Sequence, residues 1–339
     1  RTRQFWDSTA QQQNFSDLQS SNSVRLTGIQ NFAFVYINHK LELRNFFNQQ
    51  GNSQTIQRYS NRVEVPNQKA YAFEYNNRTS YSSQLSGSHS FFKDLTEITW
   101  TGGLAMNRSN IPDRRITRYT KQQTDPDSLY YMPVPRGTAD PLAGGRYFSK
   151  LKENIYSFNL NLKQILSISN YTCEFNAGTY LENKYRELHN RSLGYIITRN
   201  INNAQWNYYS LDSIFNANHV GIPTGFNLDE ITNPYDTYAA RNNLRALYIS
   251  GNFPIGKHIR LQGGLRNEHN IQSLQSYINT DSISPSITTN FYLPSFNGSY
   301  SFNEKHILRT SYSKTLNRPE FREWAPLYYY DFEENAGTS

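Results

Sequence analysis

Leu308-Arg309-Thr310-Ser311-Tyr312-Ser313-Lys314-Thr315-Leu316-Asn317-Arg318-Pro319-Glu320-Phe321-Arg322-Glu323-Trp324-Ala325-Pro326 decides the reading of this chain. Its first half alternates, with Leu308, Tyr312 and Leu316 on one side and Arg309, Ser311, Ser313 and Thr315 on the other. That period of two belongs to a strand with one apolar and one polar face. Its second half sets Arg, Glu, Arg and Glu between two prolines, too charged to be buried unpaired. A strand that is apolar outside and polar inside, and that ends in a charged knot, suits the wall of a membrane barrel.

Working outward, the same alternation recurs. Tyr156, Phe158, Leu160 and Leu162 face away from Ser157, Asn159, Asn161 and Lys163; Phe32, Phe34 and Tyr36 share a face, as do Leu41, Leu43 and Phe47 against Glu42 and Arg44. Ile98, Trp100, Leu104 and Met106 oppose Thr99, Thr101, Ala105 and Asn107. Leu247, Ile249 and Phe253 oppose Tyr248, Ser250 and Asn252. Ile259, Leu261 and Leu265 oppose Arg260, Gln262, Arg266 and Glu268, and Phe296, Tyr300 and Phe302 oppose Ser295, Asn297, Ser299 and Ser301. About ten strands are expected. Short turns fall near Asn38, Lys93, Ser167, Gly256 and Glu304, and long polar loops are expected near 50–70, 108–152, 190–237 and 280–289, with 1–23 a loop and 317–339 an outer rim. Alternating short and long links is the habit of outer-membrane barrels, whose turns are periplasmic and whose loops are extracellular. Lys257 and Glu304 then face the periplasm, and Arg115 and Pro223 the outside.

Composition agrees. Only 37% of residues are hydrophobic and the mean hydropathy is −0.75, yet 15% are aromatic, including 26 Tyr and 20 Phe. Disordered chains are poor in aromatics, whereas a barrel places them in girdles around a polar lumen. No run approaches the length of a membrane helix. The single cysteine, Cys173, permits no internal disulfide and leaves the redox compartment unread. Arg1 does not begin a signal peptide. The net charge of +7 comes from scattered residues without a nucleic-acid motif, so nucleic acid is not an expected partner.

Catalytic signals are thin. The seven histidines are dispersed, no H-E-x-x-H or G-x-S-x-G occurs, and Gly144-Gly145 and Gly263-Gly264 lack the rest of a phosphate loop. The expectation is a binding protein without cofactor or metal, not an enzyme. Asn77-Arg78-Thr79 and Asn170-Tyr171-Thr172 are chance glycosylation triplets in a chain this rich in Asn and Ser. Asp113-Arg114-Arg115-Ile116-Thr117-Arg118, expected as a loop, can contact lipopolysaccharide phosphates or another anion, or simply be solvated. Tyr328-Tyr329-Tyr330 followed by Asp331-Phe332-Glu333-Glu334 joins acids to aromatic faces, a cation- or sugar-binding pattern or an ordinary loop.

Leu308–Thr315 followed by Arg318-Pro319-Glu320-Phe321-Arg322-Glu323 and Ala325-Pro326 resembles the late-barrel motif of Bacteroidetes TonB-dependent receptors. Tyr292–Asn297, Gly263–Glu268, Tyr238-Ala239-Ala240, Asn243-Leu244 and Ile214-Phe215 support the resemblance, which spans about 205–335. The block is more similar to the carboxypeptidase-regulatory-domain group than to the starch-utilisation group. The resemblance implies an all-β, antiparallel, 22-stranded barrel in a Gram-negative outer membrane, of which 1–339 is a part, with the plug and TonB box outside these residues. It also implies TonB-driven import of a siderophore, haem, vitamin, metal complex, oligosaccharide or peptide. The implied partners are the TonB complex through an N-terminal segment, outer-membrane lipid and lipopolysaccharide, the nutrient, and a surface lipoprotein. Arg266, Glu268, Arg318, Glu320 and Arg322 are the expected lumen or rim residues, contacting ligand or bracing wall and plug. The residues leave a passive barrel or an adhesin open.

Overall fold

The computed structural model describes residues 2–6, 12–62, 65–121, 129–168, 171–197, 204–221, 225–326, 329–332 and 336–338. Its strands are β1 (Thr2–Trp6), β2 (Gln12–Tyr36), β3 (His39–Arg62), β4 (Val65–Phe91), β5 (Thr96–Lys121), β6 (Gly145–Ile168) and β7 (Tyr171–Ile197). After these come β8 (Phe226–Glu230), β9 (Thr237–Ile255), β10 (Ile259–Ile278), β11 (Asp281–Ile283), β12 (Ser286–Asn303) and β13 (His306–Ser313). A small hairpin, β14 (Tyr329–Asp331) with β15 (Ala336–Thr338), follows. Eleven strands form one antiparallel path, β1-β2-β3-β4-β5-β6-β7-β9-β10-β12-β13, with β8 added to β7 and β11 to β10. Each strand on the path pairs with its predecessor along it, so the wall is a meander.

Two solvents set the side-chain pattern. One outer row runs through Phe34, Leu41, Gly87, Trp100, Leu160, Thr179 and Leu247, each directly paired with the next. Its large members Phe34 and Leu247 are 65% and 64% exposed. Exposed apolar side chains in a continuous band are costly in water and at ease in lipid. The opposite face is polar, and along β10 it buries Glu268, Asn270 and Gln272. The apolar and polar faces expected for β2, β3, β5, β6, β9, β10 and β12 therefore stand. Among the described residues no helix is long and apolar enough to cross a membrane.

Gly87 shows why one small residue sits in the outer row. A Cβ there would lie 2.4 Å from the Trp100 indole nitrogen. The bare backbone lets the indole lie across it and donate to His89 Nε2 at 3.1 Å.

Of the five short turns expected, four fall at 37–38, 92–95, 256–258 and 304–305, and the third lies between the paired residues Ile168 and Tyr171 with 169–170 outside the described residues, all at one end of the sheet. Ile37 closes the first with φ 54° and Gly256 the fourth with φ 64°, the left-handed geometry a tight hairpin needs. The other end differs from expectation. Residues 12–23, 51–62, 109–121 and 190–197 are strand, not loop, and the links shrink to 122–144, 198–236 and 279–285. Asp113–Arg118 is accordingly the end of β5. The reason is length: β4 has 27 residues, about 90 Å at 3.3 Å each, against the 9–11 that cross a bilayer. Above the membrane both faces meet water or loops, so Gln, Ser and Asn serve as well as apolar residues, and the backbone ladder alone holds the strands. β13 is also shorter than the expected run to Leu316, although the Lys314 amide still donates to the Pro294 carbonyl at 3.1 Å.

The end opposite the short turns brings its own small core. Tyr119, Met132, Val134, Ile197, Ile214 and Phe226 cluster there, with Tyr71, Tyr195, Trp206 and Phe215 against them. The helices α1 (Pro141–Gly144) and α2 (Leu211–Ile214) are single turns within it, α1 capped by the Asp140 carboxylate accepting from the Leu142 amide.

Candidate functional site: the charged inner face

The segment after β13 does not run along the outer rim. It turns inward and crosses the polar face, where Phe321 and Ala325 bury against Tyr238, Ala240 and Leu274 of β9 and β10. The single-turn helix α3 (Phe321–Trp324) carries this contact, and Gln272 Nε2 donates to the Pro319 carbonyl at 3.3 Å. Apolar side chains at every fourth position hold the segment down, while its charges find partners on the wall. The charges expected at lumen or rim thus find partners on the polar inner face.

Two ion-pair nodes result. In the first, Glu268 accepts from Arg266 Nε at 2.7 Å and from Arg318 NH2 at 2.6 Å, so strand and crossing segment share one carboxylate. Arg266 also lies 5.9 Å from the Tyr180 ring centre. In the second, Arg186 of β7 bridges Glu153 of β6 at 2.5 Å and Glu320 of the segment at 3.4 Å, with Phe321 facing its guanidinium at 5.3 Å. Glu153 is buried and further accepts from Asn107 Nδ2 at 3.0 Å. Of the five expected residues, Arg266, Glu268 and Arg318 meet directly, Glu320 joins the second node, and Arg322 lies in α3 near Tyr238. Sequence reasoning missed Arg186 and Glu153. Continuing the alternation of β6 back from Ser157 through Ile155 places Glu153 on the polar face, a signal passed over because the alternation was read only from Tyr156 onward.

A third node lies beneath the end of the segment. Arg58 makes a two-pronged bond to Asp17, both at 2.8 Å, and is held between the Phe15 and Phe332 rings at 4.7 and 4.6 Å. Its NH1 donates to the Phe332 carbonyl at 2.6 Å. Phe332, expected in a ligand-binding acidic loop, is buried in this node with Ile56, Ala72 and Ile116. Tyr328, Glu333, Glu334, Pro223 and Asn170 lie outside the described residues.

Near the nodes some polar atoms remain unsatisfied. Asn242 Oδ1, Asn270 Oδ1 and Arg318 Nε are buried without a hydrogen-bond partner among the described residues.

Hollows of several hundred Å³ also lie among the described residues. One of about 530 Å³ sits on the apolar face, where Ala177, Gly251 and Gly263 leave a dent between Leu162, Ile249 and Leu265. Two others, about 570 and 480 Å³, share Arg115, Thr117 and Phe215 at the end opposite the short turns. There Asp113 joins Arg115 and Arg146, at 2.6 and 2.8 Å. In the loop hairpin, Arg191 and the Thr232 hydroxyl hold the Glu230 carboxyl down at about 2.

Comparison with known proteins adds a family. Residues 204–338 match the outer membrane protein beta-barrel family. That match covers β8 to β15, including β10 and the crossing segment, and with the exposed apolar band it places this multi-strand wall in the outer membrane. No curated protein matches the sequence. Among solved structures, the chain is similar to the siderophore receptor PiuA from Acinetobacter baumannii, at 10% identity and TM-score 0.45, covering 90% of this chain and 47% of that one. It is also similar to the ferric-catecholate import receptor Fiu from E. coli K12 in its open form, at 10% identity and TM-score 0.48, covering 89% and 54%. The ferric citrate transporter FecA matches at 11% identity and TM-score 0.44, over 86% and 42%. The chain spans about half the length of these three.

Proposed function

We propose that this chain is the barrel portion of a TonB-dependent outer-membrane receptor that imports a scarce nutrient. The observation that carries the reading is the inner face, where Arg266, Glu268 and Arg318, and Glu153, Arg186 and Glu320, tie an inward-folded segment to the wall beside unpaired buried amide and guanidinium groups. The path of eleven strands, in which β1 and β13 are not neighbours, fits a barrel wide enough to need a plug. The Arg318–Glu323 block is similar to the Bacteroidetes group that carries a carboxypeptidase-regulatory domain.

In the mechanism, extracellular loops capture the ligand and lumen-facing residues contact it. A plug, displaced by TonB pulling on an N-terminal segment, then opens the way inward. Arg266, Glu268, Arg318, Glu320 and Arg322 line that passage, as contacts for the ligand or as braces for wall and plug. The substrate class is a siderophore, haem, vitamin, metal complex, oligosaccharide or peptide, delivered in some members with a surface lipoprotein. The test is uptake by cells producing the full-length protein, with and without TonB. Loss of uptake without TonB supports the proposal; uptake that continues by diffusion favours a passive barrel, and adhesion without uptake an adhesin.

A further inference from the structure

At the short-turn end, His39 of β3 and His89 of β4 are direct cross-strand partners, with Nδ1 of one ring 3.1 Å from Nδ1 of the other. Two imidazole nitrogens at that distance share one hydrogen. The Trp100 indole of β5 decides which ring supplies it. An indole N–H can only donate, and this one donates to His89 Nε2 at 3.1 Å. His89 with a single ring hydrogen therefore carries it on Nδ1 and gives it to His39 Nδ1, and His39 keeps its own on Nε2. Donation runs in one direction across three strands, from Trp100 to His89 to His39. A further proton breaks a link wherever it lands. On His39 Nδ1 it sets N–H against N–H; on His89 Nε2 it meets the indole hydrogen.

The groups that face the pair carry no carboxylate to hold an extra charge. They are Tyr36 of β2, opposite His39; Leu41 of β3; Gly87 and Phe91 of β4, with the Phe91 ring 5.7 Å from that of His39; and Ile98 and Trp100 of β5. Lys40, Glu42 and Glu97 alternate to the opposite face, where Lys40 pairs with Glu42 and Ser88 donates to Glu97. Lys93 and Asp94 lie in the turn between β4 and β5. That turn sets Phe92, Lys93 and Asp94 in succession at φ 52°, 57° and 67°, and Ile37 in the neighbouring turn has φ 54°. Residues with a side chain disfavour this left-handed geometry. Two strained turns thus share a side-chain fastening at their base, beside a backbone bond from the Ser90 amide to the Asn38 carbonyl at 2.9 Å. We infer that His39, His89 and Trp100 form a pH-sensitive latch. It is closed while each imidazole carries one hydrogen, and acid opens it and loosens the turns at 37–38 and 92–95. Histidine is the side chain whose ordinary charge change falls between about pH 5 and 8. The latch does not depend on TonB-driven import.

The test combines histidine nitrogen-15 spectra with amide hydrogen exchange, both on the full-length protein in detergent micelles. At about pH 8, above the ordinary histidine range, the spectra are expected to show His39 protonated on Nε2 and His89 on Nδ1. Exchange at 37–39 and 89–95, corrected for the intrinsic effect of pH, is expected to speed up about tenfold on going to about pH 5, the effect of one lost hydrogen bond. The His39→Phe/His89→Gln variant is expected to show no such dependence. The opposite tautomers, pH-independent exchange in the wild type, or the same pH dependence in the variant overturns the latch. Should that variant fail to fold, Trp100→Phe keeps both imidazoles and removes only the donor that orients them. The His89 hydrogen is then expected to divide between its two nitrogens, and an unchanged tautomer overturns the inference.

Discussion

Glu268 shares one carboxylate between a guanidinium two residues along its own strand and another from a segment fifty residues later. Removing its charge leaves Arg266 and Arg318 facing each other with no acid between them. Glu268→Gln is therefore expected to cost about 1–3 kcal/mol, below the cost of breaking a fully buried pair because both guanidiniums keep partial contact with water. The loss is local: hydrogen exchange across Asn317–Pro326 speeds up while the barrel keeps its heat-modifiable migration. Unchanged exchange in that segment would place the bridge outside the forces that hold it. At Gly87 the argument is steric. Gly87→Val drives a side chain into the Trp100 indole, and a loss of about 1–3 kcal/mol in denaturant midpoint is expected. Gly102 has open space above it, so Gly102→Val is the control.

The elements divide by solvent. Along β6 the alternation from Tyr156 to Leu162 was legible in the sequence because lipid and lumen demand opposite side chains. The ends of β2, β3, β5 and β7 were illegible because no solvent difference marks their faces, so Gln12–Ser23 and Gly51–Arg62 carry strand geometry without strand periodicity. The charged knot was legible as unusual and misplaced in space, since Arg-Pro-Glu-Phe-Arg-Glu reads alike at a rim or against an inner wall. What places it is a partner, Arg186, that lies over a hundred residues earlier. The β7–β8 hairpin gives a pH prediction. Glu230 titrates near 2 in the folded loop against an ordinary 4.5. A depressed carboxyl contributes stability that is complete above the ordinary value and disappears as pH falls through the folded one. Amide protection in Phe226–Glu230 should thus hold from neutral pH down to about 4.5 and fall toward pH 2, and Glu230→Gln should abolish that dependence.

At the scale of the molecule, the long strands separate three environments: short turns at one end, an apolar belt, and a tall polar extension whose loops build their own core. The inner face carries the charges that fasten the Asn317–Pro326 segment. These assignments all follow from one claim, that alternate residues of β6 and β10 see lipid and aqueous lumen. Single cysteines in a Cys173→Ser background of the full-length protein, in intact outer membranes, test it directly. Cysteines at 158, 160, 261 and 265 should react with a photoactivated lipid probe and resist a membrane-impermeant maleimide, while those at 157, 159, 262 and 266 should show the reverse. Equal labelling on both faces, or the opposite parity, would contradict the account.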